Sequence, residues 1–136
     1  MDPFATRRLG KTELQLPVFG FGTAPLGDLF TRITDPDAET MLEAAWNAGV
    51  RYYDTAPLYG RGQSEHRLGR CLYTKPREQM LISTKVGRLL KPPIRRDAFD
   101  WGMWSGGLQF DEVYDYSYDG IMRSYEDSLQ RLGINK

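Results

Sequence analysis

The sequence is poor in the residues that metal, redox and nucleic-acid chemistry depend on. Its 136 residues hold one histidine, His66, and one cysteine, Cys71. A single histidine excludes multi-histidine metal sites, and no metal is expected. A single thiol cannot close an internal disulfide. Cys71 falls late in a predicted helix, with no histidine or helix N-terminus to activate it, so a buried, inert thiol is expected. Excess charge is missing too: 18 Lys and Arg balance 18 Asp and Glu. Phosphate neutralisation needs a basic excess, so nucleic acid is not an expected partner, and neither is an anionic membrane. No apolar run approaches the roughly 20 residues of a membrane span. Met1-Asp2-Pro3-Phe4-Ala5 lacks a basic segment followed by an apolar stretch. The expected compartment is therefore the cytoplasm.

Aromatic residues, in contrast, are plentiful: eight Tyr, six Phe and three Trp supply core volume. Arg7 to Pro17 reads as a hairpin turning at Gly10-Lys11. Val18 to Gly22 suits a short buried strand. Asp35 before Pro36 predicts a helix start, with Met41, Leu42, Ala45 and Ala48 on its inner stripe and Gly49 at its end. Val50 to Asp54 is a second strand, and Ser64 is placed to cap a helix over 65–73. Met80 to Val86 is a third strand. Residues 88–118 show no clear periodicity. A last helix is expected over 120–132, with Ile121, Tyr125, Ser128 and Leu132 inward and Gly133 as its stop. Alternating strands and helices mean parallel strands with helical crossovers. Both an open doubly wound sheet and a (β/α)8 barrel fit, and in both the chemistry sits at the strand C-termini.

Gly20-Phe21-Gly22 does not make a dinucleotide fingerprint. Pro25 occupies the third glycine position and no helix opens directly after it. The informative set is Asp54, Tyr59 and Lys85. Asp54 ends the second strand, Tyr59 follows five residues later, and Lys85 lies near the end of the third strand. Neighbouring parallel strands would bring all three to one face. A phenol titrating near ~10 is a weak proton donor at neutral pH. An ammonium about 4 Å away stabilises a phenolate by roughly 4 kcal/mol at an effective dielectric of ~20, about three pKa units. Partial desolvation would tend to strip the lysine of its proton, and Asp54 would offset that. Tyrosine as proton donor, lysine as tuner and aspartate as orienter suit carbonyl reduction by hydride transfer. The plainer reading of the same spacing is a surface lysine and a turn-capping aspartate.

These residues resemble the aldo-keto reductases. The resemblance runs through essentially the whole chain: Gly20-Phe21-Gly22-Thr23, Asp54-Thr55-Ala56 with Tyr59-Gly60, Ser64-Glu65, and Ser83-Thr84-Lys85-Val86-Gly87. It implies an α/β (β/α)8 TIM barrel, with residues 1–136 forming the hairpin and about three βα units. It also implies NADP or NAD as cofactor, with Gly22, Thr23 and Asp54 at its nicotinamide end. Asp54, Tyr59 and Lys85 would be three members of an Asp–Tyr–Lys–His tetrad. Val86 to Leu90 and Tyr116 to Ile121 further resemble the group of D-threo-aldose (L-fucose) 1-dehydrogenases and pyridoxal 4-dehydrogenases. That implies a small carbonyl or alcohol substrate, and oxidation with Tyr59 as base.

The family's histidine ends a fourth strand, after a helix that finishes like Gln130-Arg131-Leu132-Gly133-Ile134-Asn135. The chain stops at Lys136, where that strand would begin, and a full barrel typically needs ~250 residues. The expectation is a C-terminal half lying outside this chain, no turnover from the chain alone, and an oligomer or a companion fragment at its open sheet edges. His66 sits in a first helical turn, with helix surface as its plain reading. The aromatic-rich 88–118 segment is expected to wall the substrate pocket, with Trp101 and Trp104 as contacts. A non-catalytic, nucleotide-binding regulatory barrel is the competing class.

Overall fold

The computed structural model describes residues 2–136. The chain opens with an antiparallel hairpin, β1 (Thr6–Arg8) and β2 (Gln15–Pro17), turned at Gly10 with φ +54°. β3 (Phe21–Gly22), β4 (Tyr52–Asp54) and β5 (Leu81–Ser83) form a parallel sheet in the order β3-β4-β5. α1 (Asp35–Asn47) crosses from β3 to β4, α2 (Gln63–Leu72) from β4 to β5, and α3 (Tyr118–Leu132) follows. One core holds Leu42 of α1, Leu68 and Leu72 of α2, Leu132 of α3, Tyr53 of β4, and Val50 and Met80, which lead into β4 and β5. Strand order thus follows the sequence and all three helices share one core. Three sequential parallel strands with helices on one face are common to a (β/α)8 barrel and to one half of a doubly wound sheet, whose strand order reverses only after its third strand. Among the described residues the parallel sheet has three strands and does not close on itself.

Several local expectations shift. Val18 and Phe19 are exposed, so β3 is only the last two residues of the anticipated strand. Thr34, not Asp35, caps α1: its hydroxyl oxygen accepts from the Asp37 amide at 3.2 Å, because the Asp35 carboxylate is engaged by Arg67 at 2.8 Å. Ala38 joins Leu42 and Ala45 inside, and Met41 faces out. α2 starts behind Gly62, whose φ of +97° favours glycine. Ser64 is therefore buried inside the helix and does not cap it. In α3 the inner stripe is Gly120, Ser124, Ser128 and Leu132, whereas Tyr125 is exposed. Small residues let that helix approach β6, where Ser124 Oγ donates to the Arg88 carbonyl at 3.2 Å.

Residues 88–118 are not irregular throughout. They carry a second antiparallel pair, β6 (Arg88–Lys91) and β7 (Asp111–Tyr114). Four-residue strands separated by nineteen residues of loop leave too little alternation to detect in sequence. Arg61 anchors the loop between them. Its guanidinium donates to the Asp100 carbonyl at 3.0 Å and to that of Trp101 at 3.4 Å. It also lies over the Phe99 ring at 4.8 Å, with Nε facing Glu112 at 3.5 Å.

Two backbones meet under the site. A Cβ added to Gly27 would lie 2.4 Å from Gly60 N and from the Tyr59 carbonyl carbon. Those atoms belong to a hydrogen-bonded turn and cannot yield. Gly27→Ala is expected to cost roughly 1–3 kcal/mol, read by chemical denaturation. An unchanged midpoint would show that the turn carrying Tyr59 is free to move.

Candidate active site

β4 and β5 end side by side, Asp54 opposite Ser83. Side chains two apart on a strand share a face, so Ser83 and Lys85 both reach Asp54. Ser83 Oγ donates to Asp54 Oδ1 at 2.6 Å, and Lys85 Nζ donates to Asp54 Oδ2 at 2.8 Å. Lys85 also donates to the Thr55 carbonyl at 3.0 Å. The Tyr52 hydroxyl lies 3.0 Å from Ser83 Oγ and extends the chain of hydrogen bonds. Both carboxylate oxygens of Asp54 are thus fixed, one by Ser83 on β5 and one by Lys85 just beyond it.

Tyr59 sits in the turn that follows β4. Its amide donates to the Ala56 carbonyl, and its own carbonyl accepts from the Ser64 amide, both at 3.1 Å. Lys85 Nζ lies 4.9 Å from the Tyr59 ring centroid, within cation–π range. Trp104, 5% exposed, packs on the same ring with centroids 6.0 Å apart. Partial burial alone would push the Lys85 ammonium down. The Asp54 carboxylate and then the Tyr59 phenol outweigh it, so its pKa lies above the ordinary lysine value. Lys85 is therefore charged across the physiological range. The expected tendency to lose its proton is overcome.

The three expected catalytic residues are brought together, and Tyr59 and Lys85 line a cavity of about 210 Å³. Gly22 is exposed, and a Cβ there would enter open space. Thr23 is placed differently from expectation: it is 0% exposed and faces inward. Its hydroxyl donates to the Asp54 carbonyl at 2.9 Å, and Ser64 Oγ lies 2.8 Å from its hydroxyl oxygen. It supports Asp54 from beneath and does not line the cavity. Trp104 stands behind Tyr59. Trp101 packs edge-on against Phe99 at 4.9 Å and does not line the cavity. The aromatic wall is Tyr116 instead, with Val86 and Arg88 beside it. The structure thus adds Ser83, Tyr52, Tyr116 and Arg88. The period-two pairing of Ser83 with Lys85 was a sequence signal for the first of these.

A second layer holds β5 in place. Glu65, fully buried in α2, accepts from Thr84 Oγ1 at 2.7 Å and from Arg131 Nε at 2.5 Å. His66 is on the exposed side of α2, in a surface groove with Arg32 and Arg70, apart from Asp54 and Lys85. Cys71 is buried. Burial, then the Glu43 carboxylate, pushes its thiol up to about 11, which keeps it protonated and inert. Among the described residues no cluster of three or more His, Cys, Asp or Glu could hold a metal ion. No helix is long and apolar enough to cross a membrane.

The parallel α/β sheet carries an Asp–Tyr–Lys set at its strand C-termini. The Aldo/keto reductase family profile matches residues 18–136. The chain belongs to the aldo-keto reductase family. It is 51% identical to a pyridoxal 4-dehydrogenase of Microbacterium luteolum, over 94% of this chain and 40% of that protein. It is 44% identical to a D-threo-aldose 1-dehydrogenase of a Pseudomonas species, over 90% of this chain and 38% of that protein. Among solved structures, a holo-form aldo-keto reductase of Bacillus halodurans superposes with a TM-score of 0.71 at 27% identity, covering 96% of this chain and 37% of that one. The chain spans about two fifths of the length of the curated relatives it matches.

Proposed function

We propose that this chain carries the proton-transfer residues of an oxidoreductase that moves a hydride between NAD(P) and an aldehyde or alcohol such as an aldose or pyridoxal. The observation that carries the reading is the Lys85 ammonium, held by Asp54 at 2.8 Å and lying 4.9 Å from the Tyr59 ring. The two relatives named for an aldose and for pyridoxal support the substrate class. We further propose that β3, β4 and β5 with their helices are the first three βα units of a (β/α)8 barrel that additional chain completes.

The residues present fit a nicotinamide. Open space above Gly22 leaves room for a flat ring at the end of β3, next to Asp54 on β4. NAD(P), when bound there, takes up or supplies the hydride. Tyr59 takes the hydroxyl proton of an alcohol during oxidation, or gives one to a carbonyl oxygen during reduction. Lys85 places a fixed positive charge where negative charge develops on the phenol oxygen, with no reorganisation at the moment of reaction. Asp54, tied down by Ser83, keeps that ammonium aimed and charged. Trp104 fixes the tilt of the Tyr59 ring from behind.

The test is oxidation of L-fucose and of pyridoxal with NAD+ or NADP+, followed by absorbance of the reduced cofactor. The intact protein is expected to turn over at least one of them, and the 136-residue chain alone neither. Cofactor binding by the intact protein without turnover of any aldose or aldehyde would sink the enzyme reading in favour of a regulatory barrel.

A further inference from the structure

The cavity beside Tyr59 has a charge imbalance. Lys85 is neutralised by Asp54. Arg88 lines the same cavity, and among the described residues no carboxylate forms an ion pair with it. No acidic side chain lines the cavity. A guanidinium presents a planar fork of donors that matches a carboxylate or phosphate with two parallel hydrogen bonds. Arg88 lines the cavity with no carboxylate among the described residues paired to it, so its charge favours a guest that carries negative charge.

Arg88 is held in place. It opens β6, its carbonyl accepts from Ser124, and its guanidinium lies 5.0 Å over the Tyr114 ring. The Tyr114 ring packs on Tyr116 with centroids 6.1 Å apart. Tyr116 in turn is seated on Gly87, where an added Cβ would meet its Cε1 at 2.3 Å. Only a glycine leaves that seat free, and its φ of +91° also favours glycine. Val86, Arg88 and Tyr116 therefore form one built wall, part aromatic and part cationic. The cavity volume of about 210 Å³ lies below the roughly 300–1,000 Å³ of pockets for drug-sized ligands. That suits a molecule of one ring.

We propose that Arg88 is a specificity-determining residue that selects single-ring substrates bearing an anionic oxygen group, with Tyr116 covering the ring. The inference rests on Tyr59 and Lys85 forming the reacting end of the same cavity. A purely structural Arg88, stacked on Tyr114 to stiffen the β6–β7 pair, would predict no preference for charge.

D-galacturonate and D-galactose form a matched pair, differing in a carboxylate that replaces a hydroxymethyl group. Ligand-observed saturation-transfer NMR on the intact protein, without added cofactor, reads binding without any turnover. The unsubstituted protein is expected to bind galacturonate at least about fivefold more tightly than galactose. Arg88→Met should bring that ratio close to one. Arg88→Lys should keep part of the preference, because charge remains and the fork is lost. Equal affinity in the unsubstituted protein, no detectable galacturonate binding, or a preference that survives Arg88→Met overturns the proposal. If circular dichroism shows Arg88→Met unfolded, Arg88→Lys and the unsubstituted comparison decide. A preference without NAD(P)-dependent turnover in the intact protein removes the reductase reading and leaves this one. Turnover without a preference does the reverse.

Discussion

Tyr59→Phe in the intact protein is expected to lower turnover by about 10²–10⁴-fold while cofactor affinity stays within about twofold. The ring that packs on Trp104 and lies under Lys85 is retained, and only the phenol oxygen is lost. Packing and Gly22 are untouched, so the fold and the cofactor end have no reason to change. The loss belongs to the step in which a proton moves to or from the substrate oxygen. Steady-state kinetics together with cofactor titration by fluorescence separate the two effects. Near-normal turnover would remove Tyr59 from the chemistry. A parallel collapse of cofactor affinity would mean that the phenol holds the cofactor and not the proton.

The second large effect concerns the support beneath the site. Arg67 of α2 donates to Asp28 Oδ1 and Asp35 Oδ1 at 2.8 Å each, and to the carbonyls of Leu26 at 2.7 Å and Ile33 at 3.0 Å. Asp28 is 1% exposed, takes the left-handed conformation at φ +63°, and also accepts from Gln63 Nε2 and the Ile33 amide. One guanidinium thus joins the β3–α1 connection to α2 at the level of the Gly27–Gly60 contact. Arg67→Met is expected to cost about 3–5 kcal/mol, because it leaves a buried carboxylate without its cation. Urea denaturation measures it. The double substitution Arg67→Met with Asp28→Asn should recover a good part of the loss, since asparagine tolerates the left-handed backbone and carries no charge. A single-variant cost under about 1 kcal/mol would place this ion pair among those that matter little.

How much of this was legible in the sequence depends on the range of the interactions. The hairpin, the three parallel strands and the three helices follow from local periodicity and turn residues, and their boundaries moved by a few residues. Thr34 displaced Asp35 as a cap because Asp35 meets Arg67, 32 residues away. Ser64 left the cap position for a buried contact with Thr23, 41 residues away. The β6–β7 pair was invisible because two short strands on either side of a long loop carry almost no period. The family resemblance rested on strand-end motifs, and the profile over residues 18–136 bears it out.

Asp54, Tyr59 and Lys85 could be named from amino-acid order alone. Parallel strands end on one side, so residues at successive strand ends converge whatever the detail of the packing. The single thiol of Cys71 and the balanced charge were equally plain, being properties of composition. Only the tertiary structure decided which neighbours complete the site. It turned Thr23 inward, gave Ser83 to Asp54, put Trp104 behind Tyr59, took Trp101 out of the cavity wall and set Tyr116 and Arg88 there. Those choices depend on hydrogen bonds and ring contacts between residues about 30 or more positions apart in most cases, where no local period operates. A strand or helix writes its own face into the sequence, whereas a cavity wall is shared among segments that meet only once the chain has folded.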